Sequence, residues 1–171
     1  MDQRLADLLQ LLELERLELN LFRGASRDIG SPQVFGGQVL GQALSAAGST
    51  VDAERTVHSL HAYFLRRGDC NAPIVYQVDR SLDGHSFSNR RVVAIQHGQQ
   101  IFNMTASFQV AEAGFDHQID MPQVPPPEQL PDYVGPPPDL LERMPDRLKR
   151  FFEQPRPFMF LPSAMPPLPR F

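Results

Sequence analysis

Residues 37–49 constrain the fold more than any other part of the chain. Leu40, Ala43, Leu44 and Ala47 recur there at helical spacing and mark one face. The other faces hold Gly41, Ala46 and Gly48, which are also small. A helix that is small and weakly polar all round has no broad face to offer water. It is stable where a surface curves around it and buries most of it.

Four strand-like runs follow and can supply that surface. Residues 56–65 are long and aromatic, and residues 74–82 alternate through Ile74, Tyr76 and Val78. Residues 86–97 alternate through Arg91, Val93 and Ile95, and residues 101–110 put Phe102, Met104, Ala106, Phe108 and Val110 on one face. Asp83-Gly84 and His97-Gly98 are hairpin signals, so the last three runs form a meander. No crossover helices separate them, which argues against a doubly wound α/β sheet. Upstream, Leu5, Leu8, Leu9 and Leu12 predict a helix capped by Asp2, and a short strand is expected near residues 17–24. Residues 25–36 read as a loop. The order is helix, strand, central helix and four antiparallel strands. It predicts an α+β chain with a hotdog layout, an antiparallel sheet wrapped around a central helix.

Proline sets the domain organisation. Fifteen of the 17 prolines lie from Pro122 onward. Residues 1–121 are therefore expected to form the hotdog domain, and residues 122–171 a proline-rich arm. Within the arm Asp146 can cap a short helix through Leu148, Phe151 and Phe152. Residues 155–171 hold three phenylalanines and two methionines, too apolar for a solvated linker. They are expected to lie as a strap on the chain's own core or against another domain, with Phe158 and Phe160 otherwise exposed.

Several function classes are disfavoured at this level. The net charge is −4 with both signs scattered, so no basic stripe exists for nucleic acid. No run of about 18 apolar residues is present to span a membrane. The start, Met1-Asp2-Gln3-Arg4, lacks the apolar region of a signal peptide. A cytoplasmic location is expected. Cys70 is the single cysteine, so no internal disulfide forms, and neighbouring Asp69 opposes its thiolate. No His or Cys pair has metal-ligand spacing with a third partner, so no metal or cofactor is expected. No Gly-x-Ser-x-Gly elbow or Walker-type phosphate loop occurs.

Three groups of residues can carry chemistry. Phe35-Gly36-Gly37-Gln38 opens the buried helix. Unpaired N–H groups at such a terminus can polarise a carbonyl, and glycine lets it approach; a sterically tight turn is the plainer explanation. His58 shares strand parity with Leu60, Ala62 and Phe64, as either a polar pocket residue or a core histidine satisfied by backbone. His61 shares parity with Tyr63 and is expected outside. Arg90 and Arg91 point to opposite faces of one strand, so one can meet phosphate while the other packs along or crosses the sheet; solvated arginines on an exposed sheet face are the plainer explanation.

Five segments together resemble the acyl-CoA thioesterase II family. They are Leu21-Phe22-Arg23-Gly24; Gln33-Val34-Phe35-Gly36-Gly37-Gln38-Val39-Leu40-Gly41-Gln42-Ala43-Leu44; Val57-His58-Ser59-Leu60-His61-Ala62-Tyr63-Phe64-Leu65; Ser86-Phe87 with Arg90-Arg91-Val92; and Met104-Thr105-Ala106-Ser107-Phe108-Gln109. The similarity runs from about Leu5 to Met121 and continues weakly into the arm. The resemblance implies a chain that supplies the first of two hotdog repeats plus the linker to the second. It implies hydrolysis of fatty acyl-CoA to fatty acid and CoA by an activated water without metal, and a partner that is a second hotdog repeat or another copy. The Asp, Thr or Ser, and Gln that position water in the family belong to the second repeat, so no residue here inherits those roles. His58 matches a histidine associated with the active site and carries over as a catalytic candidate. Phe35, Gly36, Gly37, Gln38, Arg90 and Arg91 are the substrate-binding candidates. Arg67 departs from the family, which usually has proline before Gly68-Asp69, and the change is expected to affect only the turn. A non-catalytic acyl-CoA-binding or assembly module is the alternative. A hydratase ranks last, because Asp28 has no histidine near it in the sequence.

Overall fold

The structure, a computed structural model, describes residues 2–28, 33–130 and 136–153. It separates into two compact units, Met1–Ala113 and Gly114–Phe171.

The first unit begins with α1 (Gln3–Leu12), where the Asp2 side chain accepts from Arg4 N as the expected cap. The strand expected near residues 17–24 is two strands, β1 (Glu15–Glu18) and β2 (Leu21–Gly24), because the chain turns at Leu19-Asn20. The central helix α2 spans Gly36–Gly48. β3 (Arg55–Phe64), β4 (Ile74–Asp83), β5 (Phe87–Gln96) and β6 (Gln99–Val110) follow as expected. All pairings are antiparallel, in the order β1-β2-β4-β5-β6-β3. The β5–β6 turn has positive φ at both His97 (49°) and Gly98 (72°), the backbone that matches strand twist in a two-residue hairpin.

The sheet closes over α2, which packs against β2, β3, β4, β5 and β6. Val39, Ala43, Ala46 and Ala47 are buried with Gln38 and Gln42, while Leu40 and Leu44 are only partly covered. The most buried face is thus rotated from the one the leucines suggested. Small side chains let the strands approach. Phe22, Ile74, Tyr76, Val78, Val92, Ala94, Phe102, Met104, Ala106 and Phe108 complete the core. On β5 the inward set is Ser88, Arg90, Val92, Ala94 and Gln96, leaving Arg91, Val93 and Ile95 outside or half-buried.

Gln42 holds the N-terminal elements onto this core. Its Nε2 donates to Leu11 O (2.7 Å) and Ala25 O (2.9 Å), and its Oε1 accepts from Tyr76 Oη (2.7 Å). Gly24 makes room for it, since a Cβ there would fall 2.6 Å from Oε1. Burial pushes the Tyr76 phenol above its ordinary range, so it stays a neutral donor. Gln42→Leu leaves the buried Tyr76 hydroxyl and the part-buried Leu11 carbonyl without this partner, while Ala25 O keeps Gln38, and is expected to cost about 2–3 kcal/mol in urea denaturation. Tyr76→Phe removes one donor and should cost about 1 kcal/mol.

Two carboxylates tie loops to strands. Hydrogen bonds from Arg90 and then Ser88 hold Asp83 below the usual carboxylate range; a bond from Asn71 N–H and then one from His97 do the same for Asp69. A folded-state pKa below the unfolded value stabilises the chain above about pH 4, and that stability is lost as pH falls through the folded value. Urea midpoints are therefore expected to hold steady from about pH 5 to 7 and to drop below about pH 4. Asp83→Asn should reduce that drop.

Among the described residues β3, ten residues long, is an edge of the sheet with no strand beyond it. Val57, Leu60, Tyr63 and Phe64 lie exposed along it.

In the second unit, a 3-10 turn (Pro127–Gln129) and α3 (Pro138–Arg143) join the expected helix, α4 (Asp146–Glu153). Asp146 is the first residue of α4, and Pro145 O accepts from Leu148 N and Lys149 N. The expected strap, including Phe158 and Phe160, lies outside the described residues. No described helix is long and apolar enough to cross a membrane.

Candidate functional site

The first turn of α2 is open. Its N-cap residue, Phe35, makes no side-chain capping bond. Phe35 O accepts from Gln38 N (3.0 Å) and Val39 N (3.3 Å). The N–H groups of Gly36 and Gly37 have no acceptor among the described residues. Two oriented donors and the positive end of the helix dipole are thus left for something else.

Gly36 lines a cavity of about 470 Å³, within the usual range for small-molecule sites. Val34, Val39, Phe64, Leu65, Ile101 and Phe102 give it apolar walls, and Gln33, Arg66, Arg67 and Gly68 complete the lining. The loop after β3 forms one side and is held firmly. Gly68 O accepts from Val34 N (3.0 Å). Gln96 Oε1 accepts from Asp69 N (2.8 Å), while its Nε2 donates to Asp69 O (2.9 Å) and Ala72 O (2.8 Å).

The sequence-derived candidates are only partly gathered here. Of Phe35-Gly36-Gly37-Gln38, Gly36 alone lines the cavity. Gln38 turns away; its Nε2 donates to Ala25 O (3.0 Å) and its Oε1 accepts from Arg27 N (3.3 Å). Arg90 is buried, with its donors committed to Thr50, Leu82, Asn89 and Asp83. It is the arginine that packs inside the sheet. Arg91 is exposed on the opposite face, paired across the strands with Asp79 and Thr105.

His58 departs from the parity expected of it. The β3–β6 register shifts between Val57, opposite Phe108, and Ser59, opposite Ser107. A bulge there lets two β3 residues oppose one on β6. His58 consequently leaves the face of Leu60 and Ala62. Its Nε2 lies 2.9 Å from Ser107 Oγ and its ring meets Phe87 edge-on at 5.7 Å. This is the outer face, across the sheet from α2. The Ser107–His58 pair has the spacing of a nucleophile and base, but no described group orients the ring from its other nitrogen, and the neighbouring N–H groups belong to strands. His61 stacks near Tyr63 at 4.8 Å and is exposed, as expected.

Sequence reasoning passed over Arg66 and Arg67 as site residues. Their signal was two cations directly after a strand that ends beside the glycine-rich helix start. Among the described residues, no group of three or more His, Cys, Asp or Glu side chains could hold a metal.

Comparison with known proteins accords with this fold. Residues 24–109 match the family model for the acyl-CoA thioesterase N-terminal domain. The chain is 46% identical over 158 residues to acyl-CoA thioesterase 2 of Haemophilus influenzae, covering 92% of this chain and 55% of that protein. It is 45% identical over 166 residues to acyl-coenzyme A thioesterase 8 of Homo sapiens, covering 92% and 52%. The chain thus spans about half the length of these relatives. Among solved structures, an acyl-CoA thioesterase II from Mycobacterium marinum superposes with a TM-score of 0.67 at 50% identity, over 73% of this chain and 47% of that one. A hot dog fold protein from Alicyclobacillus acidocaldarius, at 24% identity, superposes with a TM-score of 0.69 over 77% and 50%. The hotdog architecture read from the strand order is therefore correct, and the chain belongs to the acyl-CoA thioesterase N-terminal domain family.

Proposed function

We propose that this chain is the first hotdog repeat of an acyl-CoA thioesterase. In this reading it binds the acyl-CoA thioester and pairs along β3 with a second hotdog, either a second repeat or another copy. The observation that carries it is the open first turn of α2 beside an apolar-walled cavity. A thioester carbonyl directed at the Gly36 and Gly37 N–H groups is polarised, and the oxyanion formed on attack by water is stabilised there. The apolar walls take the acyl chain. The thiolate of CoA then leaves as the carbonyl re-forms.

This half does not by itself supply a water-activating group. Among the described residues the cavity lining contains no carboxylate or histidine, and His58 stands on the far face of the sheet. A second hotdog must provide that group, a contribution worth roughly 10²–10⁴ in rate. The exposed edge of β3 suits such a partner, because an unpaired strand edge accepts another strand. A thiol-release assay with decanoyl-CoA tests the reading. The isolated chain is expected to turn over at the background rate, and the chain mixed with a second repeat should turn over well above it. Robust turnover by the isolated chain that disappears in His58→Ala would overturn this division of labour.

A further inference from the structure

The cavity has one feature that an uncharged fatty chain does not require. Its lining includes two adjacent arginines, Arg66 and Arg67, and no acidic residue among the described residues, in a chain whose net charge is −4. Arg66 is anchored at the rim by a 2.7 Å bond from Nη1 to Gln100 O, and its other side-chain donors meet no described residue. Arg67 makes no hydrogen bond or ion pair with a described residue. The nearest carboxylate in sequence, Asp69, is already occupied by Asn71 N–H (2.9 Å) and His97 Nε2 (3.0 Å). It is therefore not the partner of either arginine. A guanidinium offers a planar fork of donors that fits a carboxylate or a phosphate.

We propose that Arg66 and Arg67 form an anion-recognising wall of this cavity, so that it selects an alkyl thioester carrying a negative group. This rests on the thioester reading above. The apolar walls take methylenes, and the arginine pair takes the charge. Phosphate on the thiol carrier and carboxylate at the far end of the acyl chain offer the same chemistry to the pair.

Three uncleavable thioethers separate these sources in calorimetric titrations of the full chain: S-decyl-CoA, S-decyl-pantetheine, which lacks phosphate, and S-(9-carboxynonyl)-pantetheine, which carries a terminal carboxylate. At least one anionic ligand is expected to bind the native chain about tenfold more tightly than S-decyl-pantetheine. That advantage should vanish in Arg66→Gln/Arg67→Gln and shrink in about 0.5 M salt. Affinity for S-decyl-pantetheine should stay unchanged, which also reports that the variant is folded. An advantage confined to S-decyl-CoA assigns the wall to phosphate; one confined to the carboxynonyl ligand assigns it to an acyl-chain carboxylate. If S-decyl-pantetheine binds but the arginine changes leave all three affinities as they were, this inference falls and the thioester reading stands. If none of the three binds the native chain, both fall.

Discussion

Arg90→Ala is expected to lower stability by about 3–5 kcal/mol, the cost of breaking a buried charge network from one side. Arg90 is 1% exposed. Its Nε donates to Thr50 Oγ1 (2.8 Å), Nη1 to Leu82 O and Asn89 O (2.9 Å each), and Nη2 to Thr50 O (3.0 Å) and Asp83 Oδ1 (2.5 Å). These bonds join the end of α2 to the β4–β5 hairpin through the interior of the sheet. Alanine would leave a void and several unpaired acceptors together. Arg90→Lys keeps the charge but loses the fork, and should fall between the two. Asp83→Asn should be milder, because Asp83 is half exposed and water can replace its partner. Urea denaturation at pH 7 measures all three; a loss below about 1 kcal/mol for Arg90→Ala would show that the network contributes little.

The second large effect concerns catalysis in the paired protein. Gly36→Pro is expected to lower kcat by about 10²–10³, the usual result of losing one oxyanion donor. The choice of residue follows from backbone geometry. Gly36 is the first residue of α2, a position that proline favours because its missing N–H had no helical partner. Phe35 before it sits at φ −63° and ψ 128°, the extended conformation that a following proline demands. The added Cβ meets only the Phe64 ring at 3.2 Å, and Phe64 is exposed enough to yield. Proline thus removes the donor and spares the helix. Binding of S-decyl-CoA and the urea midpoint should stay near native while kcat falls. Unchanged kcat would mean that the Gly36 N–H does not meet the oxyanion.

Much of the fold was legible because period-2 alternation and hairpin turns are local signals. Phe102, Met104, Ala106 and Phe108 alternate cleanly, and all are buried. His58 was misplaced because strand parity assumes an unbroken register, and a bulge leaves no mark of that kind in the sequence. On β5 both parities are apolar, with Val92 and Ala94 on one and Val93 and Ile95 on the other, so the pattern alone did not say which arginine turns inward. Gln38 and Gln42 lie on buried faces of α2 because their amides meet carbonyls of Leu11 and Ala25, far away in the chain. Residue periodicity carries no trace of such partners. The glycine-rich start of α2 was visible, but the cavity beside it depends on a loop that returns from the end of β3.

The exposed edge of β3 sets a timing problem for synthesis. In the paired protein proposed above, the first half emerges from the ribosome with ten residues of open strand already in place. A second half of about 150 residues takes roughly 8–30 s to follow, at about 5–20 residues per second. Throughout that interval β3 can accept strands from nascent chains on neighbouring ribosomes as readily as from its own second half. Fusing the two halves in one chain shortens the wait to a single elongation time. Encoding them separately would lengthen it to a diffusional search. The fraction of chains lost to aggregation should therefore rise when translation of the second half is slowed.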